Sequence, residues 1–448
     1  MTDSQGSLLR VLGVGFGVAV IVGGAVGVGI LRTPGAIAGM LQRPGLILLA
    51  WALGGAYALL QANNLAELAT TVPSSGGPYI FARRALGPYG GFVVGWADWL
   101  SLVVAMAYLP LAFGEFAARL FPVLMGREAV VAVTALLAVL ALQLHGVRTG
   151  SRLQQGIAIL KGTALLAFVA LCLTATAAPA SAPAALAAAV PADGVSRAPS
   201  LVAFAGALQL IIGAYGGWYA AAFFGGEQRD PAHGIPRALL IGVSVMTALY
   251  LAMNLAYLRI LPMSEFVAST LPAANAVQRV LGGSGDRAVT ALSMLLLLGI
   301  INAIIMIAPR ALFALARDGL FIQRASFVNA GGTPAGATIV TVAIAFALAF
   351  SGTFERLFAL TAFLIIVVDA TNNVSLLVLR FREPQLARPY RALGAPASTI
   401  VSFIAALALL AGFVASDPRT AGIALGFIAC SYPLFRLATR TQQAIATP

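Results

Sequence analysis

The stretch Val22-Gly23-Gly24-Ala25-Val26-Gly27-Val28-Gly29-Ile30-Leu31-Arg32-Thr33-Pro34 lies in a strongly apolar part of the chain and contains four glycines among its first eight residues. A glycine inside a helix costs about 1 kcal/mol relative to alanine. Such a cluster in a membrane-spanning helix therefore indicates that the backbone opens there or that another helix packs very closely. Glycines four residues apart, such as Gly23 and Gly27, are typical of close packing.

The composition of the chain identifies its class. Of the 448 residues, 60% are hydrophobic and 9% are charged, and the mean hydropathy is +0.94. These values are typical of an integral membrane protein in a lipid bilayer. The net charge of +12 comes from arginines that flank apolar runs singly or in pairs, so it does not indicate a nucleic-acid-binding face. Cys172 and Cys430 lie in apolar runs and predict neither a disulfide framework nor a metal site.

Apolar runs of about 20 residues predict twelve membrane-spanning helices in an all-α protein. They lie near 11–38, 45–69, 89–118, 129–145, 153–176, 200–225, 237–258, 289–316, 336–351, 355–380, 397–415 and 421–438. If the N-terminus is cytoplasmic, the loops on that side carry 16 arginines against 10 opposite, which predicts that both termini lie in the cytoplasm. We expect a multi-pass protein of the cytoplasmic membrane, with an extracellular connector at 177–199.

A second interruption occurs in the sixth predicted span, at Gly213-Ala214-Tyr215-Gly216-Gly217-Trp218. Interrupted helices at corresponding places of two five-span halves indicate a secondary transporter built as an inverted repeat. An unwound turn in the membrane exposes N–H and C=O groups, which a polar ligand or water must satisfy. The two interruptions together therefore favour a binding site over helix packing.

Several motifs follow one another along the chain in a characteristic order. They occupy residues 23–30, 73–79 with 90–96, 214–218 with 226–237, 316–320 with 332–334, and 388–390 with 394–396. Through them the chain resembles the amino acid–polyamine–organocation (APC) superfamily permeases, and among these the L-type amino acid transporters and their bacterial relatives. The resemblance implies one LeuT-like transmembrane domain over 1–448. Its inverted repeats would cover approximately 10–176 and 200–380, followed by two helices in 397–438, and helices 1 and 6 would be broken at mid-membrane.

The resemblance also implies a substrate site at the two breaks. Backbone N–H groups of the first break would hold a carboxylate, and carbonyls of both breaks would receive an ammonium, in agreement with the partial positive charge at a helix N-terminus. The predicted substrate-binding residues are Ala25, Gly27, Val28, Gly29 and Ile30 at the first break and Gly213, Ala214, Tyr215, Gly216, Gly217 and Trp218 at the second.

Two of these positions depart from the pattern of the family. Val28 stands where the family usually has a small hydroxyl residue, so we expect backbone donors to recognise the carboxylate. Gly213 stands where the L-type transporters often have a large aromatic residue that covers the substrate. We therefore expect the lid to come from another residue, with Tyr215 and Trp218 as candidates.

The only lysine, Lys161, lies nine residues into the fifth predicted span. Such a lysine either extends to the membrane surface or is buried, and a buried ammonium is costly enough to indicate a function in coupling. The resemblance implies a role for this lysine: in sodium-independent relatives the matching lysine occupies the position at which sodium-coupled relatives bind a cation. Between Met294 and Ala325 there is neither Ser nor Thr, whereas a sodium site needs oxygen ligands. We therefore expect no sodium coupling and no bound metal or cofactor.

Other charged residues allow two interpretations. Glu67, Glu227 and Arg237 match the inner gate region of the family, but exposed ion pairs of little energetic value would look the same. Asp98 and Asp369 lie inside predicted spans, where a carboxylate indicates either a functional group or a partner for a neighbouring helix.

The pattern as a whole predicts a sodium-independent, alternating-access transporter of amino acids, most simply neutral L-amino acids, acting by exchange or proton symport. A transporter of polyamines or other organic amines is the alternative. An intramembrane enzyme is disfavoured because His145 and His233 lie in loops, and a channel because no polar filter motif occurs. The animal L-type relatives hold a heavy subunit through a cysteine after the third span. Residues 119–128 contain no cysteine here, so we expect no disulfide-linked partner.

Overall fold

The computed structural model describes residues 11–175, 200–282, 285–349 and 354–446, so that the whole of the predicted connector 177–199 lies outside these ranges. The regular structure of the described residues is helical, apart from an isolated bridge between Leu12 and Gln228. The α-helices are α1 (Val14–Ala25), α2 (Val28–Leu41), α3 (Pro44–Thr71), α4 (Pro78–Leu120), α5 (Glu128–His145), α6 (Val147–Thr174), α7 (Leu201–Tyr215), α8 (Pro231–Ile260), α9 (Met263–Ala268), α10 (Pro272–Leu281), α11 (Gly285–Arg317), α12 (Ala335–Leu348), α13 (Phe354–Arg382), α14 (Ala397–Ser416), α15 (Pro418–Ala429) and α16 (Ser431–Ala446).

The number and length of the apolar helices are those of a multi-pass membrane protein. Among the described residues, ten spans are long and apolar enough to cross a bilayer, and α1 together with α2 forms an eleventh. At the ninth predicted span, α12 is apolar but has only 14 residues. The number of twelve crossings therefore stays a prediction.

Helix starts differ most from the predicted spans. The helix α8 begins at Pro231, where Asp230 caps it by accepting a hydrogen bond from the His233 N–H, and α15 begins at Pro418 behind the capping residue Asp417. These polar first turns had no hydropathy signal. Similarly, α4 begins at Pro78 and contains a kink at Gly87, whose φ of 85° is a left-handed value.

The first predicted span is broken at its glycine cluster. The helix α1 ends at Ala25, α2 begins at Val28, and the two axes are bent by 48°. Between them, Gly27 is extended, with φ −149° and ψ −152°. The four glycines therefore accompany an open backbone, as the first of the two sequence interpretations expects.

The second interruption is also present. The helix α7 ends at Tyr215, and the chain passes through Gly216 and Gly217 into a 3-10 turn at Ala220–Phe224. At Gly217 the φ value is +94°, and a Cβ there would lie 3.3 Å from the backbone of Gly24. Glycine thus permits both the left-handed turn and the close approach of the two breaks.

The breaks lie inside a bundle in which α4 packs against α11 and α13, and α3 packs against α8. These helices supply most of the buried apolar residues. Large apolar side chains are exposed on outer helices, for example Leu137 on α5 and Ile404 on α14. Such exposure is expected where lipid replaces water around the protein.

Candidate functional site

A cavity of about 80 Å³ lies where the two breaks meet. At roughly 10–15 Å³ for each enclosed water, it has room for about six water-sized groups. Its walls also include α4, α11 and α13. None of the described residues that line it has a charged side chain, and its polar side chains are Ser101, Tyr108, Tyr219 and Thr361. The cavity therefore fits a small molecule whose charges are met by the backbone.

The start of α2 supplies N–H groups at one side of this cavity. The N-cap residue Gly27 and the first-turn residue Gly29 both line the cavity. No side chain caps this helix end, and its first turn contains no acidic residue. The first N–H groups of a helix have no partner within the helix and favour an anion. The arrangement is suited to hold a carboxylate.

The opposite side of the first break is held by Lys161. This residue is fully buried, and its Nζ donates hydrogen bonds to the carbonyl oxygens of Gly23 at 2.6 Å and of Val26 at 2.5 Å. The extended position at the membrane surface, one of the two sequence interpretations, is therefore wrong. The ammonium satisfies carbonyls at the C-terminal end of α1, whose partial charge is negative.

Two tyrosines of α8 donate hydrogen bonds to further carbonyls at and beside the breaks. The hydroxyl of Tyr250 donates to the Ala214 carbonyl at 2.8 Å and approaches the Ala25 carbonyl at 3.1 Å, so that it joins both breaks. Two turns further on, the Tyr257 hydroxyl donates to the Ile30 carbonyl at 3.1 Å. Sequence reasoning missed this pair. Its signal is the spacing of seven residues, which places two tyrosines on one face of an apolar helix.

Seven of the eleven predicted binding residues line the cavity and three do not, while the side chain of Val28 lies outside the part of the structure that is described. The ones that line it are Ala25, Gly27, Gly29, Gly213, Ala214, Gly216 and Gly217. Ile30 is buried behind it. The Tyr215 hydroxyl donates to the Trp51 carbonyl at 3.3 Å, and Trp218 packs against Tyr219. Tyr215 and Trp218 thus do not cover the cavity, and the expectation of a lid from either is corrected. Its aromatic walls are Tyr108, Tyr219 and Phe358.

A second cavity, here called the Arg32 vestibule, adjoins the first. It has a volume of about 370 Å³, and its polar side chains include Arg32, Thr33 and Gln209. Three residues line both cavities: Gly29, Phe358 and Ala362. The residues shared by the two spaces therefore belong to the start of α2 and to one face of α13.

At the other end of the bundle, buried ion pairs involve two of the three predicted gate residues. Glu227 accepts two hydrogen bonds from Arg310, at 2.6 and 2.7 Å, and both residues are at most 4% exposed. Arg237 is exposed on α8 and is not the partner of Glu227. The alternative of surface ion pairing is wrong for Glu227, because this pair is removed from solvent. Leu12 adds backbone hydrogen bonds with Glu227 and Arg229.

Glu67 forms a second buried cluster at this end. It accepts hydrogen bonds from Arg380 at 2.9 and 2.5 Å and from the Ala392 N–H at 2.6 Å, and Arg388 lies 3.3 Å away. Nearby, Arg84 donates two hydrogen bonds to Glu383 at the surface and thereby lowers the pKa of that carboxyl. These contacts join α3 to the end of α13 and close the bundle at this side.

The two intramembrane aspartates differ. Asp369 accepts a hydrogen bond from the Tyr57 hydroxyl at 3.0 Å, so it pairs with a neighbouring helix. The carboxyl oxygens of Asp98 are buried and have no hydrogen-bond partner among the described residues. Among all residues that the structure describes, no group of three or more His, Cys, Asp or Glu side chains could hold a metal ion.

Comparisons with known proteins identify the family and several relatives. The amino acid permease family model matches residues 15–428. The serine/threonine exchanger SteT of Bacillus subtilis (strain 168) is 25% identical over 438 residues, which are 95% of this chain and 96% of that protein. The human cystine/glutamate transporter is 27% identical, with coverages of 92% and 81%. The human b(0,+)-type amino acid transporter 1 is also 27% identical, with coverages of 86% and 79%.

Proposed function

Because the chain belongs to the amino acid permease family, we propose that it is a sodium-independent secondary transporter of small neutral L-amino acids in the cytoplasmic membrane. Transport of amino acids, and not enzymatic catalysis, is the activity of this family and of the relatives named above. To this family activity the proposal adds three points: the substrates are small neutral L-amino acids, transport does not need sodium, and the protein lies in the cytoplasmic membrane.

The observation that carries the proposal is the uncapped start of α2, which faces the second break across a cavity without charged side chains. An amino acid has a carboxylate for the α2 N–H groups and an ammonium for the carbonyls at the end of α1 and α7. Backbone recognition of both charges leaves an apolar wall for the side chain, which favours neutral substrates. A polyamine would leave the α2 N–H groups without an anion and would lack a carboxylate partner, so the amine alternative is less well supported.

The proposed mechanism is alternating access in a LeuT-like arrangement. Its two inverted repeats would comprise approximately 10–176 and 200–380, followed by 397–438, within one domain of twelve crossings. We place both termini in the cytoplasm because of the arginine bias. The Glu227–Arg310 pair and the Glu67 cluster then close the cytoplasmic side, and the Arg32 vestibule faces outward.

We assign coupling to Lys161. Its ammonium supplies a fixed positive charge where it binds the Gly23 and Val26 carbonyls, so no sodium ion is needed to hold the first break in shape. Proton transfer at this amine, or its permanent charge in an obligatory exchanger, would each couple the break to transport. The cysteine-free segment 119–128 supports function without a disulfide-linked subunit.

Uptake into proteoliposomes tests the proposal. The purified chain is reconstituted and offered labelled alanine, serine, threonine, leucine, glutamate, arginine and putrescine, with and without internal amino acid, a proton gradient and sodium. We expect the small neutral amino acids to move equally well in sodium and in choline buffer. A requirement for internal amino acid selects exchange, and uptake driven by a proton gradient into empty liposomes selects symport. If only putrescine moves, or nothing does, the proposal is wrong.

A further inference from the structure

Phe358 stands between the substrate cavity and the Arg32 vestibule. It lies near the start of α13 and is one of the three residues that line both cavities. The other two, Gly29 and Ala362, have no side chain or a single methyl group. The ring of Phe358 is therefore the largest movable group in the wall between the two spaces.

The ring is seated against Gly213 at the end of α7. A Cβ atom on residue 213 would lie 2.6 Å from the nearest ring carbon of Phe358 and 2.7 Å from the next. Both distances are far below van der Waals contact, so the ring occupies space that a side chain at this position would need. The ring also meets Tyr108 in an edge-to-face contact with centroids 6.2 Å apart.

We propose that Phe358 is the lid of the substrate cavity and the residue that limits substrate size. This inference rests on the proposed transport function and adds to it a gate and a selectivity determinant. The missing side chain at Gly213 creates the notch in which the ring rests when the cavity is closed. Rotation of the ring out of this notch connects the cavity to the vestibule.

The size limit follows from the same geometry. With the ring in place the cavity measures about 80 Å³, which is suited to a whole amino acid of about the size of alanine or serine. A larger apolar side chain would meet the ring at the wall shared with the vestibule. Removal of the ring joins the cavity to a space of about 370 Å³, enough for leucine or phenylalanine.

Transport selectivity gives the first test. In proteoliposomes, Phe358→Ala should raise the ratio of leucine to serine uptake at least tenfold, whereas the matched variant Phe363→Ala should leave it unchanged. Phe363 is on the same helix but packs against Phe413 of α14, away from the cavity. Gly213→Ala should reduce serine uptake several-fold in the wild-type background and by a clearly smaller factor in Phe358→Ala, because the ring that a Cβ at this position would displace is then absent. An unchanged ratio in Phe358→Ala, or equal effects of Gly213→Ala in both backgrounds, overturns the size filter.

Accessibility gives a second test that needs no transport. In a chain with Cys172→Ala and Cys430→Ala, a cysteine is introduced in the cavity wall as Ile304→Cys. A membrane-impermeant thiol reagent added on the vestibule side should label it at least tenfold faster when Phe358→Ala is also present. Equal labelling rates overturn the lid. If labelling responds but no amino acid is transported by the wild type, the lid stands and the proposed function fails instead.

Discussion

Replacement of Lys161 tests how the first helix break is held open. The side chain donates two hydrogen bonds to carbonyls of the break, at 2.6 and 2.5 Å, and is fully buried. In Lys161→Ala, both buried carbonyls lose this donor. A buried acceptor left without a partner costs about 1–3 kcal/mol, so the two together cost about 2–6 kcal/mol.

The loss of these two hydrogen bonds should affect transport more than the free energy of unfolding. Truncation also removes the unfavourable burial of an ammonium, which offsets part of the loss in the free energy of unfolding. The geometry of the break has no such compensation. Since about 1.4 kcal/mol is a factor of ten in an equilibrium constant, we expect substrate uptake to fall more than tenfold or to lose its dependence on internal substrate or pH.

The assay is initial-rate serine uptake at several pH values, normalised to the amount of folded protein by size-exclusion chromatography. Thr174→Ala is the matched control, because its hydroxyl is exposed on the same helix and bonds only to carbonyls of its own preceding turn. Uptake and pH dependence of Lys161→Ala equal to those of the wild type would refute the assigned coupling role.

Three further predictions concern the breaks and the closed end. Gly29→Val should abolish uptake, because a Cβ there would lie 3.0 Å from the Ala214 side chain. Val28→Ser should retain uptake. Comparable losses of uptake in both variants would contradict backbone recognition of the carboxylate. Tyr250→Phe should lower uptake about tenfold, since the Ala214 carbonyl loses its hydroxyl donor, at about 1–3 kcal/mol, and the Ala25 carbonyl loses its contact with the same hydroxyl. An unchanged KM and maximal rate would argue against the bridge. Glu227→Gln should destabilise the folded protein by about 3–5 kcal/mol in thermal unfolding, because Arg310 is left with a buried, uncompensated charge. Arg237→Ala, at an exposed position of α8, is the control. Equal stability of the two variants would contradict the burial argument.

Local sequence was sufficient for the breaks but not for what surrounds them. The glycines at 23–29 and 213–217 and the long apolar runs act on their own segments, so both interruptions and most spans were predicted correctly. The starts of α8 and α15 were missed because Asp-Pro caps stabilise polar first turns, which hydropathy does not detect. The lid was assigned to neighbours of Gly213 in sequence, although the ring that fills this position comes from α13.

The sequence by itself determined the class of protein, the positions of the two open turns and the burial of a single lysine as one of two alternatives. These follow from hydrophobicity and glycine content, which act within a span. Only the tertiary structure decided which carbonyls Lys161 satisfies, that Glu227 pairs with Arg310, and that Phe358 rests on Gly213. Each of these contacts joins segments more than 80 residues apart in the chain. It therefore forms only when the helices pack and bring a buried polar group next to its hydrogen-bond partner, or a side chain next to the space that a glycine leaves.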